Sequence, residues 1–206
     1  MKRFVVSGIG TEVGKTVASA ILAEALEADY WKPVQAGELD HTDTMKVQGW
    51  TLKANCLPEL YKLNTPASPH YAAAVDGIQM DAADLQVPAT TRNLIIEGAG
   101  GLMVPLNNAG LLYIDLFEAW QIPVILVSRH YLGSINHTLL SVDALKRRGI
   151  PIAGILFNGD ENRATEEIIE SVTQVPILGR IENANEINLQ FIQHQAEALR
   201  YLKNED

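Results

Sequence analysis

The chain has 206 residues, of which 47% are hydrophobic, so it is long enough for one domain with a substantial core, spanning residues 1–206. Its formal net charge of −9 argues against broad electrostatic binding to nucleic acid or to an anionic membrane surface. No apolar run reaches the roughly 18 residues that cross a bilayer, and no signal-peptide pattern opens the sequence. The single cysteine, Cys56, cannot form an intramolecular disulfide, so we expect a cytoplasmic protein that binds neither nucleic acid nor membrane.

A strand, a glycine-rich loop and a helix form the first predicted unit. The apolar, β-branched run Arg3–Val6 is typical of a buried strand, and Val17–Glu27 has apolar residues at helical spacing. Residues 7–16 between them read SGIGTEVGKT. Because a glycine-rich backbone at the start of a helix can surround an anion with N–H groups, the unit predicts a phosphate-binding loop.

Two side chains carry the predicted chemistry of this loop. Lys15 would reach the outer phosphates of a nucleotide, and the hydroxyl of Thr16 would bind Mg²⁺. The usual loop has four residues between its first glycine and Gly-Lys-Thr. Here five residues separate Gly8 from Gly14, whereas three separate Gly10 from Gly14. The alternative interpretation is a glycine-rich turn that only joins the strand to the helix.

The second predicted strand, Tyr30–Val34, contains a charged residue. Lys32 is a lone cation in an otherwise apolar run, and an ammonium group inside a core is costly unless it has a partner. Ligands of open parallel sheets bind beyond the carboxyl ends of the strands. We therefore expect Lys32 to be a second ammonium facing the phosphates. The alternative is a surface lysine whose alkyl chain packs along the strand.

Two carboxylates complete the predicted cleft. The third strand, Arg92–Glu97, ends in Glu97, and a turn with almost no side chains follows at residues 98–101. Asp43 comes shortly after the second strand. Together with Thr16, these carboxylates could hold one Mg²⁺ through oxygen ligands, with waters completing the octahedron. Helix capping is the alternative for Asp43, and a structural role is the alternative for Glu97.

Strand and helix patterns alternate through the rest of the chain, apart from a less regular segment at 44–91 that contains several prolines. Continuous apolar strands separated by helices predict an α/β fold with a doubly wound, mainly parallel sheet and helices on both faces, like that of P-loop NTPases. The further predicted strands are 123–128, 152–158 and 176–179, and the further predicted helices are about 111–121, 134–149, 163–173 and 186–204.

Asn158 ends the fifth predicted strand. Its carboxamide offers both a donor and an acceptor, so it could bind the edge of a nucleotide base at the carboxyl end of the sheet. It could equally form a turn with its own backbone. Both interpretations stay open on the residues alone.

These motifs together resemble the dethiobiotin synthetase family. The resemblance runs in order from residue 1 to about 181 and is weak at 45–65 and in the last helix. It rests on residues 10–16, Lys32-Pro33-Val34, Asp43, residues 97–101 with Pro105-Leu106, and residues 132–137, with Ser68-Pro69-His70 as a further match.

The resemblance implies an enzyme of biotin biosynthesis. Its substrates would be 7,8-diaminononanoate, CO₂ and ATP, with Mg²⁺ as cofactor, and it would close a cyclic urea to give dethiobiotin. The reaction would pass through a carbamate and a carbamic–phosphoric anhydride. The resemblance also implies a homodimer that binds the diamine near the subunit interface.

The resemblance further implies a set of site residues. Lys15, Lys32 and Thr11 would be catalytic, and the metal would be held by Thr16, Asp43 and Glu97. ATP would be bound by Glu12, Val13, Gly14, Lys15, Thr16, Val17, Asp43, Glu97, Asn158 and Glu186. The diamine would be bound by Thr11, Lys32, Ala36, Gly100 and Gly101, and its carboxylate by Gly133, Ser134, Ile135 and Asn136 of the other subunit.

The sequence departs from the family pattern at two positions. Ala36 stands where the family often has a hydroxyl residue, so that hydrogen bond to substrate is missing or comes from backbone. Glu182 follows Ile181 where the family usually has proline, which makes Glu186 a candidate for the ribose contact by position only.

The alternative function is a switch ATPase of the partitioning type, which also uses a phosphate-binding loop. Such proteins usually carry a lysine early in the loop, and Gly8-Ile9-Gly10 has none. A switch would release phosphate from ATP without a diamine or bicarbonate, so that dependence separates the two functions.

Overall fold

The computed structural model describes residues 1–203. Its strands are β1 Arg3–Gly8, β2 Asp29–Trp31, β3 Val34–Ala36, β4 Asn55–Cys56, β5 Tyr61–Leu63, β6 Leu94–Gly101, β7 Val124–Arg129, β8 Ile152–Asn158 and β9 Ile177–Ile181. Its helices are α1 Lys15–Leu26, α2 Asp43–Trp50, α3 Pro69–Asp76, α4 Tyr113–Trp120, α5 Ser134–Arg147, α6 Arg163–Thr173 and α7 Leu189–Leu199, followed by a 3₁₀ turn at Arg200–Lys203.

Seven of the strands within residues 1–203 form one sheet, in the order β4-β2-β6-β1-β7-β8-β9. Every pairing in it is parallel. The central strands β1, β6 and β7 each contain a run of buried apolar residues because both of their faces are covered, as in parallel sheets generally. Parallel strands place their carboxyl ends at one edge of the sheet, and this edge carries the cleft described below.

Helices pack on both faces of the sheet. Neighbouring residues of β1 point to opposite sides, so Val6 packs in a core with α1, α6 and α7, whereas Val5 packs in a second core with α3 and α4. Both valines are fully buried. The predicted α/β class, with a doubly wound parallel sheet covered on both faces, is therefore confirmed.

The second predicted strand, Tyr30–Val34, is two strands in two different sheets. β2 ends at Trp31, while β3 pairs with β5 in a separate two-stranded parallel sheet. Pro33 lies at the break, because proline has no N–H to donate to a ladder. Its carbonyl instead accepts hydrogen bonds from the backbone N–H groups of Leu60 and Tyr61.

The sequence pattern predicted the segment at 44–91 only in part. It indicated short helical pieces such as residues 71–74, which lie within α3, but it indicated no strands there. The segment holds most of α2, together with β4, β5 and α3, and β4 forms the edge of the main sheet. Strands of two or three residues, such as β4 and β5, are too short to show a periodicity of their own.

The last predicted helix, residues 186–204, begins later than expected, and α7 ends at Leu199. Asn188 caps α7 by accepting from the backbone N–H of Phe191, which places the start at Leu189 and leaves residues 186–188 outside the helix. Residue 204, the predicted end, lies outside the described residues. Among residues 1–203, no helix combines the length and the apolarity that crossing a bilayer requires.

Candidate active site

A cleft of about 770 Å³ opens at the carboxyl ends of β1, β2 and β6. It brings together residues from the phosphate loop, from β3, from α2 and from the carboxyl end of β6. The predicted site residues that line it are Thr11, Glu12, Gly14, Lys15, Thr16, Val17, Lys32, Ala36, Asp43, Glu97 and Gly100.

The phosphate loop is fixed at its helical end by a contact from β8. Gly14 adopts a left-handed conformation at the start of α1, with φ of 96°. A Cβ atom there would lie 2.2 Å from Nδ2 of Asn158, so glycine is required for both conformation and space. Nδ2 of Asn158 also donates to the carbonyl of Val13 at 2.9 Å. Asn158 therefore links β8 to the phosphate loop. Its side-chain amide still has a second N–H to donate and an oxygen that can accept.

Lys15 lies folded back over the loop and is only 8% exposed. Its Nζ donates to the carbonyl of Gly10 at 2.9 Å. Burial lowers the pKa of Lys15 to about 8, with a further lowering from the charge of Lys32, although Glu97 and Asp43 act in the opposite direction. A phosphate group beside Nζ would favour the charged form, so this ammonium is matched to an anionic ligand.

Glu97 is the central carboxylate of the cleft and is fully buried. Its Oε1 accepts from the Thr16 hydroxyl at 2.8 Å and from Nζ of Lys32 at 3.2 Å. Its Oε2 accepts from the hydroxyl of Tyr30 at 2.8 Å. Burial and the charge of Glu97 raise the pKa of Tyr30 well above its usual value, so the phenol keeps its proton and remains a donor.

Lys32 forms ion pairs with Glu97 and with Asp43 at the same time. It is only 6% exposed, which excludes the alternative of a surface lysine. Burial by itself disfavours the ammonium, but the charges of Glu97 and Asp43 outweigh it and raise the pKa of Lys32 above its usual value. The group therefore stays positively charged inside the cleft.

Asp43 is held by two lysines at the start of α2. Thr42, not Asp43, is the residue that caps this helix, since its side chain accepts from the backbone N–H of Met45. The alternative of a helix cap is therefore wrong. Oδ1 of Asp43 accepts from Nζ of Lys46 at 3.0 Å, and Oδ2 pairs with Lys32. Burial would raise the pKa of Asp43, but these two lysines lower it overall.

The oxygen atoms in the cleft fit a magnesium ion that is shared with a nucleotide. Residues 1–203 contain no cluster of three or more His, Cys, Asp or Glu side chains that could hold a metal. Mg²⁺ commonly takes only one or two carboxylates and completes its shell with phosphate oxygens and water. The Thr16 hydroxyl lies against Glu97, and Lys32 joins Glu97 to Asp43. The donor set is therefore compatible with that mode of binding.

The carboxyl end of β6 meets the phosphate loop. The sequence pattern predicted that this strand ends at Glu97 and that residues 98–101 form a turn, but β6 continues through them to Gly101. Gly100 has φ of 63°, and a Cβ atom there would lie 2.8 Å from Val104 and 3.7 Å from Oγ1 of Thr11. Gly101 pairs with Gly8 in the sheet and faces the backbone of Gly10. The predicted neighbourhood of Thr11 and Gly100 is thus present, whereas Gly101 lies behind the loop.

Several predicted site residues do not line the cleft. Gly133 precedes α5 in a left-handed conformation, and the following helix start leaves Asn136 exposed and Ser134 buried. Glu186 is exposed in the bend between β9 and α7. The residues outside the cleft lining are Val13, Gly101, Gly133, Ser134, Ile135, Asn136, Asn158 and Glu186.

Two contacts in the site were not predicted from the sequence. Tyr30 lies two positions before Lys32 and bonds the same carboxylate, and that spacing on a strand is a signal which the sequence does contain. Lys46 lines the cleft, pairing with Asp43 and with Glu38 at 2.9 Å. Its position three residues after Asp43 becomes informative only once α2 is recognised as a helix.

Comparison with known proteins identifies close relatives over nearly the whole chain. A family model described as an AAA domain matches residues 2–190. The "ATP-dependent dethiobiotin synthetase BioD" of Christiangramia forsetii is 52% identical, covering 97% of this chain and 96% of that protein. The proteins of the same name from Afipia carboxidovorans and Agrobacterium fabrum are 55% and 48% identical, covering 87% and 97% of this chain and 86% and 94% of their own lengths.

Solved structures with a similar fold come from more distant proteins. The cell division ATPase MinD of Pyrococcus furiosus has a TM-score of 0.57 at 15% identity, covering 98% of this chain and 100% of that one. A ParA family ATPase from Chlorobium tepidum has a TM-score of 0.56 at 13% identity, covering 100% and 94%. These likenesses show the P-loop NTPase fold, and at such identities they show the fold alone.

Proposed function

Because the chain belongs to the dethiobiotin synthetase family, we propose that it makes dethiobiotin for biotin biosynthesis from 7,8-diaminononanoate, CO₂ and ATP. The observation that carries the proposal is the meeting of two buried lysines, Lys15 and Lys32, with Glu97 at a phosphate-binding loop. A chain that only bound a nucleotide would have no need of a second buried ammonium beside the first.

The chemistry requires two anions to be brought together. One diamine nitrogen captures CO₂ and loses a proton to give a carbamate, whose oxygen then attacks the γ-phosphorus of ATP and expels ADP. The second amine attacks the carbonyl carbon of the mixed anhydride, closing the ring and expelling phosphate. In this proposal Lys15 and Lys32 offset the repulsion between carbamate and γ-phosphate and orient both. No protein nucleophile is required.

We propose that Thr16, Asp43 and Glu97 hold the magnesium ion of MgATP. The ion would supply positive charge to the phosphate oxygens during transfer. Asp43 and Glu97 already lie on either side of Lys32, and Thr16 already contacts Glu97, which supports the assignment.

The diamine would bind on the side of the cleft formed by Thr11, Gly100 and β3. Thr11 would act as the third catalytic residue, through its hydroxyl next to Gly100. Ala36 lines the same cleft and has no hydroxyl, so a hydrogen bond to substrate at this position is either missing or comes from backbone. Gly101 would act through its backbone atoms at the end of β6.

ATP would lie along the loop from Glu12 to Val17, with its base near Asn158. The amide of Asn158 that is bonded to Val13 retains one N–H and its oxygen for a base edge, so both a loop contact and base recognition are possible for one residue. Glu186, exposed before α7, remains the candidate for the ribose by sequence position.

A homodimer would complete the site. The segment from Gly133 to Asn136 opens α5 away from the cleft lining of its own chain, so we propose that it receives the substrate carboxylate in the neighbouring subunit. We further propose that the chain is one domain over 1–206 and works in the cytoplasm, where its free Cys56 would stay reduced.

Phosphate release from ATP tests this function against a switch ATPase. We expect release to require both the diamine and bicarbonate, and to fall to background when either is omitted. Equal release without the diamine would contradict the proposal and favour a switch, whose product is a conformation.

A further inference from the structure

We propose that Tyr30 is a positioning residue for this reaction and that it acts through Glu97. The inference rests on the proposed function, because it concerns how a candidate ligand of MgATP is held. Tyr30 is far from the phosphate loop in sequence and does not line the cleft, so it would not touch the substrates.

The strand geometry explains why Tyr30 reaches Glu97. β2 runs parallel to β6, with Tyr30 level with Ile95 and Trp31 level with Ile96, so the next residue, Lys32, comes level with Glu97. Side chains two positions apart on a strand share a face. Tyr30 and Lys32 therefore approach the same carboxylate from one strand, the first from deeper in the sheet and the second from its end.

One carboxylate oxygen of Glu97 faces the protein interior and the other faces the cleft. Oε2 accepts from Tyr30, a residue that is fully buried. Oε1 accepts from Thr16 and Lys32, both of which line the cleft. A cation entering the cleft can compete with Thr16 and Lys32 for Oε1, but it cannot reach the hydroxyl behind Oε2. Tyr30 thus fixes which oxygen is presented.

Removing the hydroxyl would leave a buried carboxylate oxygen without its donor. Such an oxygen is costly, so the carboxylate would rotate toward the remaining donors on the cleft side. Oε1 would then move out of the orientation in which it accepts from Thr16 and Lys32 and in which it would bind an incoming cation. Partners of this kind behind a metal ligand typically affect metal affinity by about 10- to 100-fold.

Tyr30→Phe removes the hydroxyl and keeps the ring, and Tyr61→Phe is the matched control. Tyr61 also donates its phenol hydroxyl to a carboxylate, Oδ2 of Asp84 at 2.9 Å, but neither residue lines the cleft. Two measurements are made on each protein. The first is the affinity for Mn²⁺ in the presence of a non-hydrolysable ATP analogue, followed by electron paramagnetic resonance. The second is the Mg²⁺ dependence of turnover.

We expect Tyr30→Phe to weaken Mn²⁺ binding about 10-fold and to raise the half-saturating Mg²⁺ concentration by a similar factor, while kcat at saturating Mg²⁺ falls less than about 3-fold. Tyr61→Phe should stay within about 2-fold of wild type in both. In a Glu97→Gln background, Tyr30→Phe should have little further effect, since it acts through that carboxylate.

Unchanged Mn²⁺ affinity in Tyr30→Phe would overturn the inference, and so would an equal effect in the Glu97→Gln background. A Tyr30→Phe chain that fails to fold while Glu97→Gln folds would also overturn it, because Tyr30 would then serve the fold. Wild-type protein that makes no dethiobiotin would contradict the proposed function instead, and the Mn²⁺ measurement would still decide the role of Tyr30.

Discussion

Lys15 and Lys32 differ in how strongly their positive charge is held. Lys32 has two carboxylate partners that keep it protonated, whereas burial brings the pKa of Lys15 down to about 8. Within residues 1–203, Lys15 donates only to a backbone carbonyl and forms no ion pair with a carboxylate. Of the two, Lys15 therefore gains more from an incoming phosphate.

Lys15→Ala should reduce turnover by at least about 100-fold, as expected for the loss of one preorganised charge contact in a reaction between anions. The measurement is kcat with saturating diamine, bicarbonate and MgATP, on protein shown to be folded by circular dichroism. Lys53→Ala is the control, because Lys53 forms a surface pair with Glu27 and should leave turnover unchanged. Near wild-type turnover in Lys15→Ala would mean that Lys15 is not a catalytic residue.

Glu97→Gln should raise the Mg²⁺ concentration needed for half-maximal activity while the fold is retained. The change removes one charge from an oxygen site and keeps its shape, although Lys32 then loses one of its two carboxylate partners. Titrating activity against Mg²⁺ checks this. An unaltered Mg²⁺ dependence, with activity otherwise intact, would mean that Glu97 is a structural partner of Lys32 only.

The sequence predicted which residues carry the chemistry better than it predicted which residues hydrogen-bond to them. Lys15, Lys32 and Glu97 could be found because a charged group in an apolar run, or at a strand end, stands out from its surroundings. Tyr30 was missed, because a tyrosine in a buried strand is expected from packing alone, and its spacing from Lys32 becomes informative only once the strand is aligned with β6. Its role depends on the register of β2 against β6, and register is a property of the folded sheet.

At the level of elements, strand ends hold the loops that act on ligands. Asn158, the last residue of β8, fixes the phosphate loop through the carbonyl of Val13 and lies against Gly14. The sequence left open a base contact and a turn for Asn158. The structure adds a third interaction, which depends on β8 and the loop after β1 being close in space.

Asn158→Ala should raise the ATP KM about 10-fold through a looser loop. Asn158→Asp should raise it further, because its carboxylate would repel the Val13 carbonyl and add a negative charge beside the phosphate loop. Steady-state kinetics with ATP varied at saturating diamine would measure both. The diamine KM is the internal reference and should change little. If the two KM values rose together, Asn158 would support the whole cleft and not the loop alone.

A second cluster joins α6 to the sheet edge. Glu166 accepts from Nη2 of Arg180 in β9 at 2.6 Å and contacts Nε2 of His130 at 2.8 Å. Burial would raise the pKa of Glu166, but hydrogen bonds from Arg180, from the Asn162 backbone and from His130 lower it. A carboxyl whose pKa is lowered in the folded state stabilises it above its unfolded pKa of about 4.3. That contribution is lost as the pH falls through the folded value.

Glu166→Gln should therefore lower the free energy of unfolding by about 1–3 kcal/mol at pH 7, and the difference from wild type should shrink below about pH 4. Urea unfolding at several pH values measures it. The neighbouring Glu167, exposed and paired with Arg163 on the same helix, gives the control variant Glu167→Gln, expected to change stability by less than about 0.5 kcal/mol. A pH-independent difference for Glu166→Gln would contradict the charge argument.

Most long elements followed from the sequence, although β6 continues past its predicted end at Glu97 to Gly101 and α7 begins three residues late, and most short elements did not. β1, β7 and β8 are continuous apolar runs, and α1 and α6 were predicted to within about two residues at their ends. The separate β3–β5 sheet depends on a proline that breaks one run into two and on a pairing of three-residue strands, Val34–Ala36 with Tyr61–Leu63. Pairing of that kind is set by tertiary contacts and leaves no periodic pattern.

For the whole molecule, the open question is whether one chain is enough for a complete site. The helix start at Gly133–Asn136 lies outside the cleft lining of its own subunit. Asn136→Asp adds a negative charge where we propose that the substrate carboxylate binds, so it should raise the diamine KM and leave the ATP KM unchanged. Asn136→Ser, which keeps the site neutral, is the matched control.

Mixing Asn136→Asp with Lys15→Ala subunits should restore part of the activity, because some sites would then carry neither change. Subunit exchange has to be confirmed first, by native mass spectrometry of the mixture. Exchange without any recovery would mean that each chain holds its own site, and the shared-site proposal would be wrong.

The most direct test of the account follows the carbon that becomes the urea. The purified protein is incubated with the diamine, MgATP and ¹³C-bicarbonate, and both dethiobiotin and phosphate are quantified by mass spectrometry and a coupled assay. We predict dethiobiotin carrying the isotope in its ring carbonyl, one phosphate for each dethiobiotin formed, and loss of both products in Lys15→Ala and Lys32→Ala proteins that remain folded. Phosphate released without labelled dethiobiotin would contradict the central claim that this cleft joins ATP cleavage to closure of a cyclic urea.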